Sequence, residues 1–456
     1  MKNQQPLVVG FITLVLVSAL LSGLFEETSH SSMLLSAIPF AAFLAFVLFS
    51  PDSPLIVLVL LPTEMWSALM RGGAPFYLST LVILLLIVLM IARALRSGRL
   101  GRLDQRFLIH LGLYAGAIAL SGLVNAVWYH EAVWTVGNYA LYLAVVLYFS
   151  THPIDIHRIA GLKVAAITIV LLFVILNLLG FDIMGEQIAN SGSTAIRIGA
   201  IFGHPAYMGY YAACVGILLY VMVLQSPKPI YFAGLVMSCI VTIASQTRGA
   251  ILAFVAAFFL VNLYRHWYLN LLLLPAGAAL AGIQAISGRF LHGINDPTFD
   301  YTSGRLFIWR TTLDDIARRG RYVIGNSLES YKRLVGLDIG RMASFDTYEF
   351  LHNDYLLVLY ELGILGLTVF IGVHLYLAVM AIRGLGKGRD PDHKIMALGL
   401  AGILIIIMIG HFLDNLNYMR DVLLIFFLLT GLFLGRETQF ARQQDGQARP
   451  GTPGTP

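Results

Sequence analysis

The sequence has few charged residues and few cysteines. Of its 456 residues, 12% are charged and 58% are hydrophobic, whereas soluble domains are about one quarter charged. This composition excludes a water-soluble globule, and such high hydrophobicity also excludes a disordered chain. The two cysteines, Cys214 and Cys239, lie inside apolar runs, which excludes a disulfide framework or a cysteine-rich metal cluster. The surplus of apolar residues therefore predicts a protein of the lipid bilayer.

Apolar runs long enough to cross a bilayer recur along most of the chain. They predict an all-α polytopic membrane protein with about 12–14 transmembrane helices, because each crossing needs about 20 residues. We expect four regions: N-terminal transmembrane helices over 1–286, a loop domain with short helices over 287–355, C-terminal transmembrane helices over 356–435, and a disordered tail over 436–456.

The basic residues predict the orientation of these helices. With the N-terminus inside, the inner segments hold 17 Lys and Arg residues and the short outer segments hold 4, a strong positive-inside bias. Both termini are then cytoplasmic, and the large 287–355 loop is periplasmic. Although the net charge is +5, this placement indicates membrane lipids, and not nucleic acid, as the surrounding partner.

Arg248 is the most informative polar residue on the predicted outer side. It lies in Ser245-Gln-Thr-Arg248-Gly between two apolar runs with almost no loop, where a charge is costly. It could simply end a span and reach the headgroups. Alternatively, its planar guanidinium could bind two oxygens of a phosphate.

Arg305 begins a segment that predicts an amphipathic helix over 303–319. Leu306, Trp309, Leu313 and Ile316 share one face of this helix, and Trp309 is typical of an interfacial anchor. Arg305 could be a site residue or a residue of the solvated surface.

His352 and Asn353 open the next long helix. An exposed histidine can take up a proton near neutral pH, but it could equally be a polar helix-start residue. Asn353 and its neighbour Asp354 are typical of helix caps.

Further outer residues are weaker candidates for contact with a substrate. They are Trp309, Asn353, Arg310, His204 with Pro205 opening a helix, and Arg420 at the end of a short outer turn from Asp414. Arg197 lies at the same outer boundary.

These residues suggest a reaction class. Arginines and a histidine are expected to face one outer cavity, and no Asp-x-Asp motif that could hold a divalent ion lies in the predicted outer segments. Fixed arginine charges could then stabilise a departing diphosphate without a metal, while His352 takes a hydroxyl proton. At an outer surface without nucleotides, the expected donor is a lipid diphosphate.

The order of four motifs resembles the O-antigen ligase and polymerase superfamily of bacterial membrane glycosyltransferases. The motifs span roughly residues 190–370: Arg197 with Phe202-Gly-His-Pro205, Ser245-Gln-Thr-Arg248-Gly, Arg305 with Trp309, and His352-Asn353 before Tyr360-Glu-Leu-Gly363-Ile-Leu-Gly366-Leu.

The resemblance implies a lipid-donor glycosyltransferase-like fold in the bacterial inner membrane with a periplasmic active site. It implies metal-independent transfer of a whole glycan from undecaprenyl diphosphate to a sugar hydroxyl, without a cofactor. The acceptor would be lipid A-core for a ligase or another glycan for a polymerase, and some relatives glycosylate protein. By resemblance, Arg248, Arg305 and Arg197 bind the diphosphate, and His352 is the catalytic base.

A different class, a transporter or flippase of lipid-linked glycans, is the main alternative. Transporters place ionisable groups near the midplane and often carry inverted repeats. Glu64, His110 and His374 are the candidates here, but the two histidines are better explained as packed between helices, and no repeated half is present. A purely structural membrane subunit would leave the outer arginines and His352 unexplained.

Overall fold

The structure is a computed structural model of the chain. It describes residues 77–98, 105–125, 132–152, 154–180, 188–189, 196–199, 202, 204–264, 266–273, 305–336, 350–386 and 390–447. The spans predicted before residue 77, together with Glu64, lie outside these residues.

The described part of the chain is almost entirely helical. Its α-helices are α1 (Tyr77–Arg96), α2 (Gln105–Asn125), α3 (Ala132–Thr151), α4 (Ile156–Leu178), α5 (Pro205–Gln225), α6 (Pro229–Ala244), α7 (Arg248–Leu263), α8 (Arg305–Arg319), α9 (Asp354–Gly384), α10 (Pro391–Leu413) and α11 (Arg420–Gln447). Short 3-10 turns cover Trp267–Leu272 and Leu416–Tyr418, and a π-helical turn covers Lys332–Gly336. A two-residue antiparallel ladder, β1 (Ile188–Ala189) with β2 (Ile196–Arg197), pairs Ile188 with Arg197.

Six of these helices are long and apolar enough to cross a membrane, namely α2, α3, α4, α5, α9 and α10. Helices α6 and α7 are apolar but shorter. The prediction of an all-α polytopic membrane protein is confirmed, whereas the total of 12–14 crossings stays a prediction because part of the chain lies outside the described residues.

Helix starts follow simple capping rules. Asp155 accepts a hydrogen bond from the His157 amide (2.8 Å) at the start of α4, and Asp390 does the same for His393 (2.8 Å) at α10. His204 caps α5 and Pro205 is its first residue, as the sequence predicts. Each cap satisfies an amide that the helix itself cannot pair.

The helices fall into two compact units. The first contains the described parts of 1–93 and 155–247, and its centre is α5, packed by α4 and α6. Lys163 is buried in α4 and donates to the Tyr211 hydroxyl (3.3 Å).

The second unit contains the described parts of 94–154 and 248–456. Here α9 packs on α2 and α10, α10 also packs on α7 and α11, and α11 packs on α3. A β-carbon at Gly435 of α11 would lie 2.6 Å from the Ser150 carbonyl oxygen of α3, so glycine is what permits this close approach.

Helix α9 is broken at Gly363, which has φ +67°. The chain segment 322–327 replaces the lost helical hydrogen bonds. The Ile364 amide donates to the Tyr322 carbonyl (2.8 Å), and the Asn326 and Ser327 amides donate to the Tyr360 and Glu361 carbonyls (3.0 and 2.9 Å). Irregular backbone inside a membrane protein requires such partners, so the loop after α8 and the first turns of α9 form one piece.

Helix α11 continues past the boundary expected at residue 435 and ends at Gln447. The segment after 435 is therefore helical as far as 447 and is not a disordered tail over that stretch. Charged residues end an apolar run without ending a helix, and Arg436 contacts Asp392 (3.2 Å) beside the start of α10.

Candidate active site

The C-terminal end of α10 is where two of the predicted site residues, Arg305 and His352, meet. Arg305, the first residue of α8, donates from its guanidinium to the Leu413 carbonyl, which belongs to the last residue of α10. A guanidinium has five N–H donors, so this contact leaves others for the oxygens of a ligand.

His352 contacts the very next residue. Its Nδ1 lies 3.3 Å from Asp414 Oδ1, and about a quarter of the His352 side chain is exposed. Arg305 and His352 are thus held by two consecutive residues, Leu413 and Asp414. Sequence reasoning placed both near the outer boundary but did not identify what joins them.

Helix α8 also fixes the backbone in front of His352. The Trp309 indole N–H donates to the Leu351 carbonyl (2.9 Å), and the Trp309 ring lies 5.7 Å from the Phe412 ring. Trp309, predicted as an interfacial anchor and a possible substrate contact, therefore supports the histidine segment.

The apolar residues of α8 are partly buried against α9 and partly exposed. Ile308 and Ile316 are buried against Tyr360 and Leu357 of α9, whereas Leu306, Phe307 and Leu313 are exposed. The buried side keeps α8, and with it Arg305, against the first turns of α9.

The start of α9 is anchored by two polar side chains. Asn353 caps the helix by accepting from the Leu356 amide (3.0 Å), which is the simpler of the two roles considered for it. Asp354 is fully buried, and its Oδ2 lies 2.6 Å from His411 Nδ1 and accepts from the Asn417 amide (3.0 Å). These bonds tie α9 to α10 and to the turn that follows α10.

Arg248 reaches the same region through another helix. It is the half-buried first residue of α7, four residues after α6 ends at Ala244, and α7 packs along α10. The positive charges of the Arg248 and Arg305 guanidinium groups are close enough to repel each other. Two like charges held in a partly buried place favour an anion between or beside them.

The other predicted residues are distributed more widely. Arg310 is exposed on α8, and Arg420 is the half-buried first residue of α11. Arg197 lies in β2 and His204 is the exposed cap of α5, where its Nδ1 accepts from the Ala206 amide (3.2 Å). Both belong to the first unit, so their grouping with Arg248 and Arg305 stays a prediction.

The histidines of the transporter alternative are packed between helices. His374 is buried, with its ring 5.3 Å from that of His411, and His110 stacks on Tyr376 at 5.1 Å. Among the residues that the structure describes, no cluster of three or more His, Cys, Asp or Glu side chains could hold a metal ion.

Sequence reasoning missed Asp414 and the Asp354–His411 pair as site residues. Asp414 is 62 residues from His352 along the chain, and no local spacing relates the two. The available signal was weak: one acidic residue directly after the long apolar run of α10.

These features define a multi-pass helical membrane protein in which Arg305 and His352 meet at one end of a helix. Residues 233–371 match the family model described as O-antigen ligase. The match confirms the resemblance to the O-antigen ligase superfamily that the motifs predict, and it includes Arg248, Arg305 and His352. No curated protein matches the chain.

Proposed function

We propose that this protein is a glycosyltransferase of the O-antigen ligase type that moves a glycan en bloc from undecaprenyl diphosphate to a sugar hydroxyl. The O-antigen ligase match supports a ligase- or polymerase-type activity in general. The observation that carries the finer proposal is that Arg305 and His352 meet at the end of α10, with the like charge of Arg248 close enough to Arg305 to repel it.

In the proposed reaction, an acceptor hydroxyl oxygen attacks the anomeric carbon of the donor glycan. The bond between that carbon and the diphosphate oxygen breaks, and the diphosphate leaves on its lipid with the bonding electron pair. Arg248 and Arg305 stabilise the negative charge that develops there. His352 takes up the hydroxyl proton, and Arg197 is a further candidate for the diphosphate.

The same geometry suits a membrane orientation with these groups on the periplasmic side of the inner membrane. The donor arrives in the lipid, so its diphosphate lies at the headgroup level, where the first residues of α7 and α8 would meet it. We favour lipid A-core as the acceptor and keep polymerisation onto another lipid-linked glycan as the second candidate.

The test uses surface glycans from a deletion strain that is complemented with single variants. We expect the deletion to leave polymerised glycan on the polyprenyl carrier with no long chains on lipid A-core. Caps of a single repeat unit would instead identify a polymerase, and normal surface glycan would refute both activities.

A test of His352 as the base needs a substitution that leaves the backbone conformation unchanged. His352 has φ +51°, a left-handed conformation that asparagine tolerates better than most residues. We therefore expect His352→Asn to fold and bind donor, but to lower kcat by about 10²-fold or more, the scale of general base catalysis. Wild-type kcat in this variant would show that His352 is not the base.

A further inference from the structure

We infer that Asp414 is a positioning residue for His352. The adjacent residues Leu413 and Asp414, here called the Leu413–Asp414 step, then hold Arg305, the proposed diphosphate ligand, and His352, the proposed base, at a fixed separation. This inference rests on the proposed function, because it assigns Asp414 a role only if His352 accepts the proton. Asp414 lies outside the 233–371 match.

The hydrogen bond decides which ring nitrogen carries the proton. Asp414 Oδ1 lies 3.3 Å from His352 Nδ1, and an ionised carboxylate can only accept. Nδ1 therefore donates, and the neutral ring keeps its lone pair on Nε2. Nε2 makes no hydrogen bond to any residue that the structure describes, which leaves it to accept a proton from a substrate hydroxyl.

The carboxylate is itself held in place. The Asp414 amide donates to the Gly410 carbonyl (2.7 Å), and the Asn415 amide donates to Asp414 Oδ1 (3.2 Å). The Asp414 side chain is 9% exposed. Because the Asp414 carboxylate is buried and held in one orientation, it sets the direction of the His352 ring that donates to it. Carboxylates orient metal-binding histidines in the same way, by accepting a hydrogen bond from the ring nitrogen that does not bind the metal.

The histidine depends on this contact because it stands outside the regular helix. Its φ of +51° places it before α9 begins at Asp354, so no helical turn orients its side chain. The backbone on either side is fixed by the Trp309 bond to Leu351 and by the Asn353 cap, but the ring itself is oriented by Asp414.

Arg305 is held by Leu413, the residue directly before Asp414. Since it donates to the Leu413 carbonyl, the distance between the guanidinium and the imidazole is set by one peptide unit at the end of α10. Attack on the anomeric carbon requires the base and the diphosphate site to keep a fixed separation. The Leu413–Asp414 step supplies that separation.

The test compares Asp414→Asn with wild type in purified full-length protein, with Asp421→Asn as the matched control. Asp421 is similarly buried (5% against 7% for Asp414) and begins α11. We expect Asp414→Asn to lower kcat by about 10- to 100-fold, the range found for outer-shell partners, with donor KM changed less than about twofold. Asp421→Asn should keep wild-type kcat.

A double-variant cycle separates positioning from structural support. If Asp414 acts through the imidazole, adding Asp414→Asn to His352→Asn lowers the residual rate no further. Multiplicative losses would overturn the inference, as would wild-type kcat in Asp414→Asn. Wild-type kcat in His352→Asn would refute the proposed base as well, so the two failures are distinguishable.

The ring tautomer gives a readout that does not depend on activity. In ¹⁵N-histidine-labelled protein, the resonances lost in His352→Asn should report a protonated Nδ1 and an unprotonated Nε2, and Asp414→Asn should shift this tautomer. If Asp414→Asn is not recovered from membranes, Asp414→Glu replaces it. The retained carboxylate should then give an intermediate kcat, and wild-type kcat with an unchanged tautomer would overturn the inference.

Discussion

At the scale of single residues, the site depends on the shape of the guanidinium as much as on its charge. Arg305 reaches the Leu413 carbonyl through one part of its planar group and can present other N–H donors to phosphate oxygens. Lysine offers a compact charge without this fork. The two residues are therefore not interchangeable at this position.

We predict that Arg248→Lys and Arg305→Lys each lower kcat/KM for glycan transfer by about 10- to 100-fold, because a hydrogen bond to a charged group contributes about 1.5–3 kcal/mol. Arg318→Lys on the same helix α8 is the matched control, since its side chain is 73% exposed and pairs only with Asp315 among the described residues. Wild-type kcat/KM in either site variant would contradict bidentate binding.

The proposed role of the arginine charges also predicts how glycan transfer responds to chelators. If Arg248 and Arg305 stabilise the leaving diphosphate, purified protein treated with EDTA should keep its full rate of glycan transfer. The measurement is the initial rate before and after dialysis against EDTA, with and without added Mg²⁺. A strict requirement for a divalent cation would refute the charge argument.

At the scale of elements, the break in α9 is the feature that connects the loop to the site. Gly363 has φ +67°, and a β-carbon there would collide with the Val323 carbonyl. The segment 322–327 can therefore approach the helix only because residue 363 is glycine. The sequence places this glycine in one of the four motifs but does not predict the left-handed conformation of its backbone.

We predict that Gly363→Ala destabilises the protein by at least about 1 kcal/mol, the cost of a left-handed conformation for a residue with a β-carbon, and lowers transfer activity. Gly116→Ala is the control, because Gly116 lies inside α2 with open space around its α-carbon. That change should be neutral or stabilising by about 0.5–1 kcal/mol. Equal thermal midpoints for the two variants would contradict the proposed role of the break.

The sequence predicts individual elements well where periodicity and capping determine them. The amphipathic helix expected over 303–319 is α8, Arg305–Arg319, and His204-Pro205 opens α5 as expected. The extension of α11 to Gln447 was not predicted, because loss of hydrophobicity marks the end of a membrane run and not the end of a helix. The short β1–β2 ladder likewise had no recognisable pattern.

At the scale of the whole molecule, orientation in the membrane is the prediction on which the periplasmic site depends. The background for labelling is a variant in which the two native cysteines, Cys214 and Cys239, are replaced by alanine. In that background, the single substitution Arg318→Cys should give a protein that reacts with a membrane-impermeant maleimide in intact spheroplasts. A cysteine at Arg383, exposed at the far end of α9, should react only after permeabilisation. The opposite pattern would place the site in the cytosol.

The site as a whole was only partly predictable. Arg248, Arg305 and His352 stand out because ionisable residues are rare in this sequence, and the latter two meet at one helix end. Asp414, Leu413 and His411 could not be found, because their contacts join segments that are 57 or more residues apart. Only the packing of α8, α9 and α10 brings these segments together.

The contact between Arg305 and Leu413 uses a main-chain oxygen. Exchanging the leucine side chain for another leaves that oxygen where it is, as long as α10 still ends at the same residue. Through this contact, position 413 therefore need not vary together with Arg305, and a scan of alanine substitutions would pass over position 413 without effect. The position would be revealed only by moving the helix end itself, for example by inserting one residue before Leu413.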